Sequence, residues 1–146
     1  MSKVFDIAMI GARVYVRSRD HCPPHVHIIH PGEGWEARLA FSFLDASIRL
    51  LDVVPLACAP RLAVLNTVAS AVVANLSVCR AAWWRIQGKT CLNGQWLKMA
   101  DNGAGLPVAR TAAGAWQVER SHYDIEQSAV ILFFKGQTES QTWRLS

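Results

Sequence analysis

Arg13-Val14-Tyr15-Val16-Arg17-Ser18-Arg19-Asp20-His21-Cys22-Pro23-Pro24-His25-Val26-His27-Ile28-Ile29-His30 contains two runs separated by a double proline. In the first run Val14 and Val16 fall on one face, and Arg13, Tyr15, Arg17 and Arg19 on the other. This period of two is that of a half-buried strand. Pro23 and Pro24 have no N–H for a ladder and push the preceding residues toward extended geometry, so Asp20 to Pro24 reads as a corner. His25 to His30 reads as a second strand, closed by Pro31-Gly32-Glu33-Gly34. Trp35 to Phe43 and Ala46 to Val54 read as a third and a fourth. Their short connections argue for an antiparallel meander.

Beyond Pro60, which suits the first turn of a helix, the character changes. Leu62, Leu65, Val68, Val72, Leu76, Cys79, Trp83 and Ile86 recur every three or four residues up to Gly88. That spacing predicts one continuous apolar stripe on a helix. A helix from residue 60 to 87 would be about 42 Å long. Such length invites a break, for which Asn75 to Ser77 is the natural place. Residues 98–114 are rich in Gly, Ala and small polar residues, with Asn102-Gly103-Ala104-Gly105 at their centre, and read as a flexible linker or loop. Strand character returns in Ala115 to Tyr123, Ser128 to Phe134 and Gln141 to Leu145. The expected fold is therefore α+β: an antiparallel sheet meander packed by one long apolar helix, with a C-terminal β-hairpin. Residues 1–97 would form the α+β core, and residues 115–146 would be strands completing the same domain.

The bulk numbers agree with a packed soluble domain. The chain has 146 residues, 51% hydrophobic and 18% charged, which excludes a disordered acidic tail, a collagen-like repeat and a coiled coil. The formal net charge is +4. It concentrates in the middle third, where Arg61, Arg80, Arg85, Lys89 and Lys98 face only Asp52. A basic balance of this size permits a nucleic-acid partner without requiring one. Leu62 to Cys79 carries no charge and is followed by Trp83-Trp84, the outline of a minimal membrane span. Asn66, Thr67, Ser70, Asn75, Ser77 and many alanines argue instead for a buried helix and no membrane partner. The four cysteines, Cys22, Cys58, Cys79 and Cys91, form no Cys-x-x-Cys pair, and the first residues show no secretory pattern. Free thiols in a cytoplasmic, reducing compartment are expected.

Four of the five histidines, His21, His25, His27 and His30, fall within ten residues. On a strand His25 and His27 project from one face, and their side chains converge. His21, held by the Pro-Pro corner, would swing in as a third donor, whereas His30 has the opposite parity. Three imidazoles around an open position make a site for zinc or another divalent transition metal, as in a metal-dependent hydrolase. Asp20 and Glu36 are the carboxylates at hand to support the rings. Cys22 offers a further thiolate ligand or a reactive thiol. Ordinary hydrogen bonds beside a tight turn are the first reading of the same histidines, ahead of a metal site and of acid–base chemistry on RNA.

Arg13, Tyr15, Arg17 and Arg19 form a basic face with one aromatic. Beside the histidines it would suit RNA, with guanidinium groups on phosphate and one imidazole as base and another as acid. A solvated, aggregation-resistant surface is the favoured reading, because arginines at alternate strand positions are ordinary. Asp20-His21-Cys22-Pro23-Pro24-His25-Val26-His27 resembles the hallmark of a small bacterial family, domain-of-unknown-function family 4160. In that family His-x-Pro-Pro-His-x-His follows a strand. Glu36-Ala37-Arg38 matches the family's third strand, Pro60-Arg61-Leu62 its helix start and Trp83 or Trp84 its helix end, over residues 10–97. The resemblance implies a cytoplasmic bacterial protein of toxin–antitoxin or mobile-cassette type that binds RNA or a cognate protein. It supplies no catalytic residues. The charge-free helix departs from the family pattern and implies an extra buried face, covered by the C-terminal strands or by a second copy in a homo-oligomer.

Overall fold

The computed structural model describes residues 1–100 and 105–145. The part of the 98–114 linker at residues 101–104, and the final residue of the C-terminal strands, lie outside the described residues. The chain divides into two compact units, Met1–Ser42 with Ala46–Gly88, and Phe43–Asp45 with Lys89–Ser146.

The first unit holds five strands, β1 (Ser2–Ile7), β2 (Ala12–Val16), β3 (His25–His30), β4 (Trp35–Phe41) and β5 (Ile48–Val54), all antiparallel neighbours in chain order. The meander is thus present, with β1 added ahead of the alternation that predicted β2. Its register sets Tyr15 against His27 and His27 against Arg38, while Val14 faces Ile28 and Ile28 faces Ala37. One face is therefore apolar, with Val14, Val16, Val26, Ile28, Ala37 and Leu39 buried. The other carries Arg13, Tyr15, His25, His27, Glu36 and Arg38.

The single helix is corrected to two, α1 (Leu62–Ala74) and α2 (Leu76–Gln87), bent by 73°. Pro60 lies ahead of the first helical residue rather than in the first turn. At the bend the Asn75 side-chain amide donates to the Ala71 carbonyl at 2.8 Å, satisfying a group that a helix end leaves open. A straight helix of the predicted length would overhang the sheet, whose longest strands run about 23 Å. The bend keeps Val68, Val72, Leu76, Cys79 and Trp83 buried. α2 packs against β1 and β2, Arg80 Nε donates to Ser42 O, and the Trp83 ring lies 6.3 Å from that of Phe41. No single helix among the described residues is long and apolar enough to cross a membrane.

The second unit corrects the predicted C-terminal hairpin. It is a five-stranded sheet ordered β10-β9-β8-β6-β7, from β6 (Trp96–Met99), β7 (Gly105–Pro107), β8 (Trp116–Asp124), β9 (Ala129–Phe134) and β10 (Gln141–Arg144). β6 pairs with both β7 and β8, so strand extends into the stretch that composition marked as linker. Buried Leu97 explains why: it joins Val118, Val130, Leu132 and Phe134 in this unit's core. Phe43 packs edge-on to Tyr123 at 5.0 Å, and Trp143 Nε1 donates to Leu44 O.

Candidate metal centre

β2 ends at Val16, one turn before the corner, so the alternation does not carry through to Arg17 and Arg19. A tight turn follows, in which the Asp20 amide donates to Arg17 O at 3.2 Å. In return the Arg17 amide donates to Asp20 Oδ2 at 2.8 Å. This turn points Asp20 inward and leaves His21 exposed at the surface. Pro24 O then accepts from the Phe41 amide, and β3 begins at His25.

His25 and His27 share a face of β3, as their spacing predicts, and their rings meet edge to face at 5.0 Å. Asp20 Oδ1 lies 2.8 Å from His27 Nε2 and 3.3 Å from His25 Nε2. One ligand atom each from Asp20, His25 and His27 lies within 4.8 Å of the others. The side chains are 8%, 5% and 4% exposed, so water does not screen them. The group thus unites two of the three predicted ligands, His25 and His27. Its third member is Asp20, which the sequence offered only as a supporting carboxylate, in place of His21.

The second nitrogen of each ring is also held. His25 Nδ1 lies 2.8 Å from the Pro23 carbonyl oxygen. A carbonyl only accepts, so Nδ1 carries the hydrogen and Nε2 of a neutral ring is a lone pair. That lone pair faces a carboxylate oxygen, an arrangement that needs a cation, either a proton or a metal ion, between the two. His27 Nδ1 lies 3.4 Å from Glu36 Oε2, so this ring sits between two carboxylates.

Burial alone pushes the Asp20 carboxyl up. The hydrogen bonds from His27 and the Arg17 amide outweigh it, together with the charges of His27 and His25, and hold Asp20 below the usual carboxylate range.

The donor set fits a metal ion. Bonds of about 2.0–2.1 Å at tetrahedral angles place ligand atoms about 3.4 Å apart. The His25–Asp20 edge already has that length, and the His27–Asp20 edge would open by about half an ångström. Two imidazoles and one carboxylate suit first-row divalent ions such as zinc, and not calcium or magnesium, which call for more oxygen ligands. Three protein ligands leave a position for water or another ligand.

The remaining predicted residues lie around this group. Arg13 and Arg19 are exposed and Tyr15 is half-buried. Arg17 is spent on Glu36, with Nη1 3.3 Å from Oε2 and Nη2 paired with Oε1. Arg38, which the sequence matched only to a strand motif, donates through Nε to Asp52 Oδ1 at 2.8 Å. Arg17 and Arg38 are thus each paired with a carboxylate of the same sheet. His30 lies on the opposite face, its ring 5.4 Å from that of Trp35 and its Nδ1 accepting from the Glu33 amide. Cys22 is a half-cystine, so its sulfur is neither a ligand nor a reactive thiol; Cys91 is likewise oxidised, and the free thiols are Cys58 and Cys79. Comparison with known protein families, with curated proteins and with solved structures finds no match.

Proposed function

We propose that the protein binds one divalent first-row transition ion, zinc foremost, through Asp20, His25 and His27. One observation carries this reading: Asp20 Oδ1 meets the Nε2 atoms of both rings while each Nδ1 is held by a separate acceptor, Pro23 O or Glu36. Metal-bound histidines carry such an acceptor on the second nitrogen. The near-complete burial of the three side chains favours retention of an ion over turnover of a large substrate. The metal-dependent hydrolase is therefore the weaker form of this reading. In the RNA reading Arg13 and Arg19 keep exposed guanidinium groups, but Arg17 is withdrawn by Glu36. The cytoplasmic setting that the family resemblance implies is not part of this proposal, because the oxidised state of Cys22 and of Cys91 weighs against a reducing compartment.

The test is zinc content and zinc titration of protein purified without a metal-affinity column. One ion per chain is expected. Asp20→Ala and His25→Ala should abolish retention with the fold intact, and His21→Ala should leave it unchanged. Wild-type protein that holds no zinc at equimolar metal overturns the proposal, and loss of zinc in His21→Ala restores the three-histidine set.

A further inference from the structure

We infer that Glu36 and Arg17 form an outer brace for this centre. Glu36 is a positioning residue that aims the His27 ring at the ion, and Arg17 holds Glu36 in place. The inference rests on the metal reading above. The contacts around His27 close on themselves. The Arg17 amide donates to Asp20 Oδ2 at 2.8 Å, and Asp20 Oδ1 meets His27 Nε2 at 2.8 Å. His27 Nδ1 meets Glu36 Oε2 at 3.4 Å, and both Glu36 oxygens are held by the Arg17 guanidinium. One residue, Arg17, therefore ties down both carboxylates that flank His27, one through its main chain and the other through its side chain.

The chemistry gives this closure a purpose. An imidazole that donates its Nε2 lone pair to a metal is neutral and keeps its single hydrogen on Nδ1. That hydrogen needs an acceptor, and the Glu36 carboxylate is the one in reach. A carboxylate in that place fixes the tautomer, sets the ring angle and makes the ring a better donor. Glu36 lies on β4 and His27 on β3, and the Cα partner of Glu36 is Ile29, two residues beyond His27. Reaching back along the strand, its side chain would be free to turn away. The two-point grip of a planar guanidinium prevents that. Arg17 thus belongs to the centre, and not to a phosphate-binding face.

The experiment titrates metal-free full-length protein with zinc against a chromophoric chelator, and with cobalt by its visible absorption. Glu36→Gln keeps the size of the side chain and removes its charge. It should weaken zinc binding about 10- to 100-fold, with one ion per chain retained and metal-free thermal unfolding unchanged. Glu36→Asp should recover part of the loss. Arg17→Gln should weaken zinc binding in the wild-type background and add little in the Glu36→Gln background, because Arg17 acts through Glu36. Wild-type zinc affinity in Glu36→Gln overturns the brace and leaves the metal centre standing. Fully additive losses from the two substitutions overturn the role of Arg17. Wild-type protein that binds neither ion overturns the brace together with the metal reading, a separate result. If Glu36→Gln does not fold, Glu36→Asp and Arg17→Gln carry the same comparison.

Discussion

Asp20 and Cys79 are both withdrawn from water, and their partners send them in opposite directions. At Asp20 two imidazoles and a backbone amide overcome burial, and the carboxylate is held ionised. At Cys79 burial prevails over the nearby Arg80 charge and a backbone hydrogen bond, and the thiol is pushed up to about 12. Burial disfavours the thiolate, so at mildly alkaline pH Cys79 stays a neutral, shielded thiol. Cys58 is free and exposed. A thiol reagent at about pH 8 should therefore label one cysteine quickly in the native protein and a second only in denaturant. Cys22 and Cys91 should follow only after reduction. Peptide mapping of the labelled sites checks the order, and rapid native labelling of Cys79 would contradict its burial. The apolar stripe made the burial of Cys79 legible in the sequence. The inward turn of Asp20 was not, because strand parity stops at Val16 and only the Arg17–Asp20 turn decides which of Asp20 and His21 faces the sheet.

Among the elements, the helical pair shows how far periodicity reaches. The stripe predicted the burial of Val68, Val72, Leu76, Cys79 and Trp83, but its first member, Leu62, is exposed, and Leu65 and Ile86 are half-buried. Asn75 lies in the segment where a break was expected. The 73° bend itself depends on the extent of the sheet, which the helix sequence does not record. The end of α2 was legible because its signal is local. Gly88 has φ +63°, the left-handed region, and its amide donates to Trp84 O at 2.8 Å. A Cβ added there would meet nothing within 4 Å, so the cost of Gly88→Ala is conformational and not steric. Gly88→Ala should destabilise the protein by about 1 kcal/mol, with Gly88→Asn milder because Asn tolerates this region better. Urea unfolding with an unchanged slope checks both. A neutral Gly88→Ala would mean that α2 ends by another device. β6 and β7 were illegible for the converse reason. Short strands in a Gly- and Ala-rich stretch have too little periodicity to stand out, and the pairing of β6 with β8 and of β7 with β6 supplies what local sequence lacks.

For the molecule as a whole, the sequence presented one domain where the chain forms two compact units, each with its own sheet and core. Composition cannot separate two small cores from one large one, and Phe43–Asp45 belongs to the second unit although the chain on either side belongs to the first. This division gives the metal centre a thermodynamic signature. Asp20, His25 and His27 all lie in the first unit, so an ion bound there stabilises that unit by mass action. At free zinc about a hundredfold above the dissociation constant the gain is about 2.7 kcal/mol. For a unit of this size that raises its melting by on the order of 10 °C. Calorimetry of the full chain should show the shift in heat absorbed by the first unit, with Trp83, whose ring lies 5.4 Å from that of His25, reporting the same transition by fluorescence. A chelator should reverse the shift, and His27→Ala should abolish it. If the wild-type protein melts identically with and without zinc, or if His27→Ala is stabilised just as much, the ion does not bind where the three side chains converge.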